Sequence, residues 1–273
     1  MLKRDENTQI LHSDLLGAKV KLVRATIRQG LYTGHTAGLC SDKVQCNLVI
    51  IKRGYAEAFQ AFCQSNPIPC PIVGISAVGD PKLTMLGKSI DIRTDVPRYR
   101  VYKYGKLIEE RTSIAELWQN DFVSIAIGCS FSFESALMKS GIPMRHIDEN
   151  VTVPMYKTNI ATQPAGPFNG PTVVSMRPIK STDLELVKDV CKSYPFAHGG
   201  PLHVGTPSKI GIADVANPDW GDAVPIRDGE VPAFWACGVT SQVAITNACP
   251  EICITHAPGA MLITDQNEIS IKK

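Results

Sequence analysis

A cysteine placed between an apolar run and a helical pattern, within residues 123–141, constrains the fold more than any other stretch of the chain. The apolar run Val123–Ile127 breaks at Gly128, and a helical pattern follows up to Gly141. Cys129 therefore lies in a turn where a strand ends and a helix begins. Because free N–H groups and the helix dipole favour negative charge at that position, the pattern predicts a reactive thiolate.

The same arrangement recurs near the end of the chain. The apolar run Ala233–Ala236 meets Cys237, Thr240 is placed to cap a helix, and a helical stretch follows to Pro250. The sequence thus predicts two thiols at equivalent positions of two strand–turn–helix units. Packing in the core is the alternative role for each thiol, since free cysteine is among the most buried residue types.

A strand–helix–strand pattern between residues 48 and 75 predicts an α/β fold. The apolar runs Leu48–Ile51 and Ile72–Ile75 flank a helix that begins near Tyr55, so we expect a parallel pair joined by a right-handed crossover.

Proline and glycine become frequent after residue 144, which predicts a second, smaller α+β domain. We expect this domain to span residues 144–229 and to be inserted into an α/β domain formed by residues 1–143 and 230–273.

The composition excludes several classes of protein. With 273 residues, 44% hydrophobic composition and a formal net charge of +2, the chain is globular and lacks the basic surplus that nucleic acid requires. Residues 1–14 carry charge without an apolar signal core, and no apolar stretch reaches the roughly 18 residues of a membrane span. We therefore expect a soluble cytoplasmic protein without a membrane or nucleic-acid partner, and the sequence leaves a homo-oligomer open.

The nine cysteines have no C-x-x-C spacing, which predicts reduced thiols and neither disulfides nor a zinc ribbon. Two groups, His198 with His203 and Cys249 with Cys253 and His256, are weak metal signals. The first lacks a nearby carboxylate, and Cys253 and His256 would point to opposite faces of a strand. We expect no bound metal.

An arginine-rich segment lies near residue 95. In an extended chain Arg98 and Arg100 share one face, and two guanidinium groups could clamp a dicarboxylic substrate. In the alternative, the arginines of a solvated edge strand pair with Asp91 and Asp95.

Several blocks of the chain, in one order, resemble a known family over about residues 27–265. They are Gly34-His35-Thr36-Ala37-Gly38, Gln45 with Asn47-Leu48, Asn66-Pro67 with Pro69-Cys70-Pro71, Asp91 to Tyr102, Ile127 to Glu134, Pro154-Met155-Tyr156 with Thr158-Asn159-Ile160, Val174 to Pro178, Phe234 to Thr240, and Thr255 to Gly259. On these blocks the chain resembles the D-glutamate cyclase family, a family of hydro-lyases. Ser41-Asp42 stands where the family pattern has Pro-Gly, so the first loop is expected to differ in shape.

The resemblance implies a three-layer α/β/α domain with a second, smaller α+β two-layer domain. It also implies that D-glutamate, a small acidic amino acid, is converted to 5-oxo-D-proline with loss of water. The reaction requires no cofactor.

Cyclisation needs a neutral amine, a held γ-carboxyl group, stabilisation of charge at the tetrahedral carbon and an acid for the departing water. Our hypothesis assigns these roles from chemistry. Arg93, Arg98 or Arg100 holds a carboxylate, the Cys129 turn with Ser130 supplies the oxyanion site, and Asp95, Glu134 or His256 moves protons, with Cys237, Thr36 and Asn159 as further site candidates. For Glu134, a solvated helix carboxylate is the alternative role.

Two other functions remain open from the sequence. A cofactor-independent racemase or epimerase could use Cys129 and Cys237 as acid and base on opposite faces of a substrate α-carbon. A non-catalytic protein that binds a small carboxylate is the second alternative.

Overall fold

Two antiparallel sheets organise residues 9–267, the part of the chain that the computed structural model describes. The strands, in chain order, are β1 Lys43–Lys52, β2 Ile72–Ile75, β3 Tyr99–Lys103, β4 Lys106–Arg111, β5 Phe122–Gly128, β6 Met155–Ala161, β7 Pro171–Lys180, β8 His203–Val204, β9 Glu230–Ala236, β10 Cys253–His256 and β11 Leu262–Asn267. The predicted α/β class is confirmed. Part of the charged N-terminal segment, residues 1–8, lies outside the described residues.

Among the described residues, seven α-helices pack around the sheets. They are α1 His12–Leu15, α2 Val20–Arg28, α3 Arg53–Ser65, α4 Phe131–Lys139, α5 Arg145–Asp148, α6 Leu184–Lys192 and α7 Val239–Ala248. Short 3-10 helices lie at Ala115–Leu117, Ser181–Asp183, Pro195–Ala197 and Pro207–Ile210. None of the helices within residues 9–267 combines the length and the hydrophobicity that a membrane span requires.

The larger sheet has the strand order β2-β5-β1-β10-β3-β4, with β11 also paired to β1. Its pairings are antiparallel, so the predicted parallel pair is wrong. β1 and β2 do run in the same direction, but β5 lies between them and is antiparallel to both. Because β5 comes some 50 residues after β2 in the chain, no local pattern places it there.

Strand β1 is buried on both faces, which explains its nearly continuous apolar run. Leu48 and Ile50 join one hydrophobic cluster, whereas Val49 and Ile51 join another that includes Phe59 of α3. Each such side chain contributes about 1.5–3 kcal/mol when it is fully buried. The central strand is therefore a rigid support for any side chain placed on it.

The smaller sheet has the order β6-β7-β9-β8 and is joined to the larger one by helix α4. This helix follows β5 of the larger sheet, yet its Phe133 and Leu137 pack against Trp235 of β9. The division of the chain at residues 144 and 230 stays a prediction, although β9, at Glu230–Ala236, lies in the smaller sheet.

A substitution at Gly128 tests the close contact between the end of β5 and the loop after α6. A β-carbon at this position would lie 1.7 Å from the carbonyl oxygen of Phe196. We expect Gly128→Ala to displace that loop and lower the free energy of unfolding by about 1–3 kcal/mol, measured by urea denaturation. The control is Gly54→Ala in α3, where an added β-carbon meets nothing within 4 Å. Equal stability of the two variants would contradict the observed packing.

Candidate active site

The two cysteine turns meet at one side chain of the central strand. Cys129 lies between β5 and α4, and Cys237 lies between β9 and α7, as the sequence predicts. Asn47 of β1 donates a hydrogen bond from Nδ2 to the Gly128 carbonyl at 2.8 Å. A β-carbon on Gly238 would lie 2.2 Å from the same nitrogen, so the second turn also presses on Asn47.

Both thiols belong to one buried cluster. Cys129 is 7% exposed and Cys237 is 9% exposed, and Ala37, Val173 and Met261 pack with them. The structure therefore brings together the two cysteines that the sequence places in separate units.

Burial raises the pKa of both thiols. The backbone N–H of Phe131 is directed at Cys129 and that of Val239 at Cys237, and both contacts favour the thiolate. Burial outweighs them, so the pKa of Cys129 rises far above its ordinary value and that of Cys237 rises to about 11. Burial thus opposes the reactive thiolate that the sequence predicts at Cys129, and the resting thiols are mainly protonated at neutral pH.

A buried ion pair lies beside the Cys129 turn. Arg177 of β7 donates from Nε to Glu134 Oε1 at 2.9 Å, and its Nη2 contacts the same oxygen. The guanidinium also donates to the hydroxyls of Ser175 at 3.0 Å and Ser130 at 2.8 Å. Its carbon Cζ lies 5.4 Å from the ring centre of Phe133, within the range of a cation–π contact.

Glu134 is ionised, and its second oxygen is unpartnered. Burial acts to raise its pKa, but His146 and Arg177 outweigh that effect and lower it. His146 Nε2 lies 3.2 Å from Oε1, whereas Oε2 is buried with no hydrogen-bond partner among the described residues. Glu134 is 1% exposed, so a solvated helix carboxylate is the wrong description. An unsatisfied buried acceptor costs about 1–3 kcal/mol, which indicates a place for a donor from a ligand.

Thr36 fastens two loops beside this cluster. Its N–H and its hydroxyl donate to the Gly259 carbonyl at 2.8 and 3.2 Å, and the Met261 N–H donates to its hydroxyl at 3.0 Å. Because Ala37 and Met261 contact the cysteine cluster, Thr36 shapes one wall of the candidate site.

His256 is a buried, neutral imidazole on β10. Its Nδ1 accepts a hydrogen bond from the Leu48 N–H at 3.1 Å, and burial lowers its pKa to about 4. Nε2 must then carry the proton, and it has no hydrogen-bond partner among the described residues. His256 can donate a proton in a hydrogen bond but is a weak base at neutral pH.

The predicted arginine clamp is engaged in ion pairs. Arg93 pairs with Asp91 at 2.7 Å, as the alternative interpretation expects. Arg98 and Arg100 instead pair with Glu110 of β4, at 3.5 and 2.7 Å, a partner that the sequence did not predict. The ion pairs with Glu110 lie at the edge of the larger sheet and not at the cysteine turns.

Two further predicted residues also make contacts away from the cysteines. Asp95 is fully buried and bonded through both oxygens to Arg28 of α2, at 2.8 and 2.7 Å. Asn159 is exposed on β6 and lies against Gly211. Their roles in substrate binding and proton transfer stay predictions.

The sequence analysis missed Asn47, His146 and Arg177. Asn47 and Arg177 are polar residues in strands that are buried along nearly their whole length, and a polar residue in such a strand is the signal that could have found them. His146 lies in a four-residue helix, and nothing in its sequence context marks it.

A surface cavity of 480 Å³ approaches the Cys129 turn. Pro71 and Phe196 are among its lining residues. The Pro71 carbonyl accepts a hydrogen bond from the Gly128 N–H at 2.9 Å, and the Phe196 carbonyl packs on Gly128. Two residues that line the cavity therefore contact the residue next to Cys129.

Comparison with known proteins adds family information. Residues 123–265, which hold both cysteines, Glu134, Arg177 and His256, match the model of the D-glutamate cyclase family. A protein of Jannaschia sp. is 53% identical over 258 residues, which cover 94% of this chain and 96% of that protein. A protein of Bordetella pertussis is 55% identical over 242 residues, covering 89% and 87%. Both are described as "putative hydro-lyase".

A solved structure, that of a nitrogen repressor-like protein from Methanococcus jannaschii, covers 90% of this chain and 98% of that chain with a TM-score of 0.38 and 11% sequence identity. A similarity at this level supports no comparison of individual residues.

The Arg177–Glu134 pair predicts a pH-dependent loss of stability. Arg177→Met would leave Glu134 buried without its main partner, so we expect the free energy of unfolding to fall by about 3–5 kcal/mol at neutral pH. The lowered pKa of Glu134 stabilises the native protein above the unfolded-state pKa, and that stabilisation is lost as pH falls through the native pKa. The difference from the wild type should therefore shrink at acid pH.

Urea denaturation at several pH values measures this difference. The matched control is Arg93→Met, which removes an arginine from a more exposed pair and should cost at most about 1 kcal/mol. A loss for Arg177→Met that is as small as the control, or independent of pH, would contradict the buried-pair description.

Proposed function

Because the chain belongs to the D-glutamate cyclase family and is a hydro-lyase, we propose that it converts D-glutamate to 5-oxo-D-proline with release of water. The observation that carries this proposal is that two complementary groups lie on one helix. Glu134 is buried and ionised, with one unpartnered oxygen, and Cys129, at the start of the same helix, is protonated. Cyclisation needs a proton acceptor for the amine and a proton donor for the departing oxygen, and these two groups supply them.

Glu134 is the proposed proton acceptor. The ammonium group of the substrate donates a hydrogen bond to Glu134 Oε2, the oxygen without a partner among the described residues, and transfers one proton to it. Because the pKa of Glu134 is lowered, it is a weak base, and its protonated form is a short-lived intermediate that gives the proton up again within the same cycle. Arg177 holds Glu134 through Oε1, so the free oxygen has a fixed position. The neutral amine can then attack the γ-carboxyl carbon.

The N-terminus of α4 is the proposed oxyanion site. Four N–H groups at the start of any helix lack partners within that helix, and the helix dipole adds to their attraction for a negative oxygen. In this chain that end carries Cys129 and Ser130, the residues for which the oxyanion role is predicted. The N–H groups of Ser132 and Phe133 already donate to the Cys129 and Ser130 carbonyls, at 3.1 Å each, so the role is proposed for the backbone N–H groups of Cys129 and Ser130 themselves.

Cys129 is the proposed acid. Since burial raises its pKa, the thiol keeps its proton until a basic oxygen forms beside it. The substrate nitrogen loses two protons, the first to Glu134 and the second to the departing oxygen. That oxygen takes its other proton from Cys129 and leaves as water. Glu134 then returns its proton to the Cys129 thiolate. The site is left as it began.

The proposed reaction forms one C–N bond and breaks one C–O bond of the γ-carboxyl group, and the protein groups transfer only protons, so the reaction needs no oxidant, reductant or cofactor. All nine cysteines are free thiols, which supports the cytoplasmic location that the sequence predicts.

Glu134→Gln tests the proton acceptor. The amide keeps the shape of the side chain but cannot take a proton, so we expect kcat/KM for D-glutamate to fall by at least about 100-fold. Product formation is measured as loss of one water by mass spectrometry. Glu185→Gln, on the exposed face of α6, is the control and should retain the rate of the wild type. A Glu134→Gln variant as active as the control would contradict the role.

Cys129→Ala tests the acid. We expect turnover to be abolished while far-ultraviolet circular dichroism and the native fold are retained. The matched control is Cys191→Ala, which removes another buried thiol from a different hydrophobic cluster. A fully active Cys129→Ala variant would exclude this assignment.

A further inference from the structure

The proposed cyclisation assigns no role to Cys237, although Cys237 occupies the same position in its strand–turn–helix unit as Cys129 does in the other. Each thiol follows the last residue of a strand, and each receives a backbone N–H from the residue two positions later. The strands β5 and β9 belong to different sheets, so the two thiols reach the site from separate supports.

The two turns share their neighbours. Asn47 contacts both of them, and both thiols pack in one apolar cluster with Val173 and Met261. A second, independent observation points to a ligand here, because Glu134 Oε2 is buried beside the Cys129 turn with no hydrogen-bond partner among the described residues. In an amino acid whose ammonium group donates a hydrogen bond to that oxygen, the α-carbon is bonded directly to the ammonium nitrogen.

We propose that Cys129 and Cys237 also exchange the α-proton of the bound acidic amino acid from opposite faces and so interconvert its two enantiomers. The inference rests on the proposed function for the identity of the substrate. It extends that function, since cyclisation alone breaks no bond at the α-carbon.

The proton balance closes without an oxidant, a reductant or a cofactor. Cys237 first loses its proton to water, and its thiolate removes the α-proton, so that an S–H bond forms as the Cα–H bond breaks. Cys129 then donates its proton to the opposite face of the carbon. The cycle ends with a Cys129 thiolate and a Cys237 thiol, the arrangement that acts on the other enantiomer.

Cys237 is the better first base of the two. Burial raises its pKa only to about 11, whereas that of Cys129 rises further. The charge of Arg177 lowers the pKa of both thiols, and Glu134 raises that of Cys129 alone.

Incubation of the full-length protein in heavy water with D-glutamate, and separately with L-glutamate, tests the inference. Mass spectrometry measures deuterium at the α-carbon, chiral chromatography measures the enantiomers, and 5-oxoproline is quantified in the same samples. We expect α-deuterium and the opposite enantiomer to appear from either starting isomer.

Each single variant, Cys129→Ser and Cys237→Ser, should lower the rate of enantiomer interconversion by at least about 100-fold. Cys249→Ser, which changes an exposed cysteine, is the control and should retain it. Thermal unfolding verifies that each variant is folded, and Cys237→Ala is the second variant if the serine does not fold.

The outcomes separate the two proposals. Formation of 5-oxoproline without α-deuterium would overturn the α-proton exchange and leave the cyclase proposal standing. Deuterium exchange without 5-oxoproline would support the thiol pair and overturn cyclisation. Interconversion that survives in Cys237→Ser at the control rate would also overturn the inference, and the absence of both products would overturn both proposals.

Discussion

The buried contact between Arg177 and Glu134 is the interaction on which the candidate site depends. Removal of two charges from water costs several kcal/mol for each ion, and the pair repays this only with good geometry and further hydrogen bonds. Ser130 and Ser175 provide those bonds, and Trp235 packs against the guanidinium with its ring centre 5.3 Å from Cζ. Since Glu134 is on α4 and Arg177 on the smaller sheet, the same contact fixes the Cys129 turn relative to that sheet.

Burial and the helix N-termini have opposite effects on the pKa of the two thiols. A helix N-terminus favours a thiolate, but Cys129 and Cys237 are sufficiently excluded from water that burial dominates. The protonated Cys129 thiol beside an ionised Glu134 forms a site with a proton donor and a proton acceptor at neutral pH. Thr36 joins the loop before β1 to the loop that holds Gly259, and Ala37 and Met261 next to these contacts pack in the cluster that holds both cysteines.

Local patterns predicted much of this structure. The strand–turn–helix units around Cys129 and Cys237 follow from apolar runs and helical spacing within about 20 residues, so the sequence placed both thiols correctly. The insertion of β5 between β1 and β2, and the contact of Glu134 with Arg177, join residues far apart in the chain. Such pairings depend on tertiary packing, which no periodicity records, and the thiolate prediction did not account for burial.

A crystal structure of the Glu134→Gln variant with D-glutamate would locate the bound substrate, because the variant should bind the amino acid and turn it over slowly. We expect electron density for the amino acid between the Cys129 and Cys237 turns, with its nitrogen at the side chain of residue 134. Density at Arg98 and Arg100, in place of their contact with Glu110, would instead locate substrate binding at the edge strand and exclude a site at the cysteine turns.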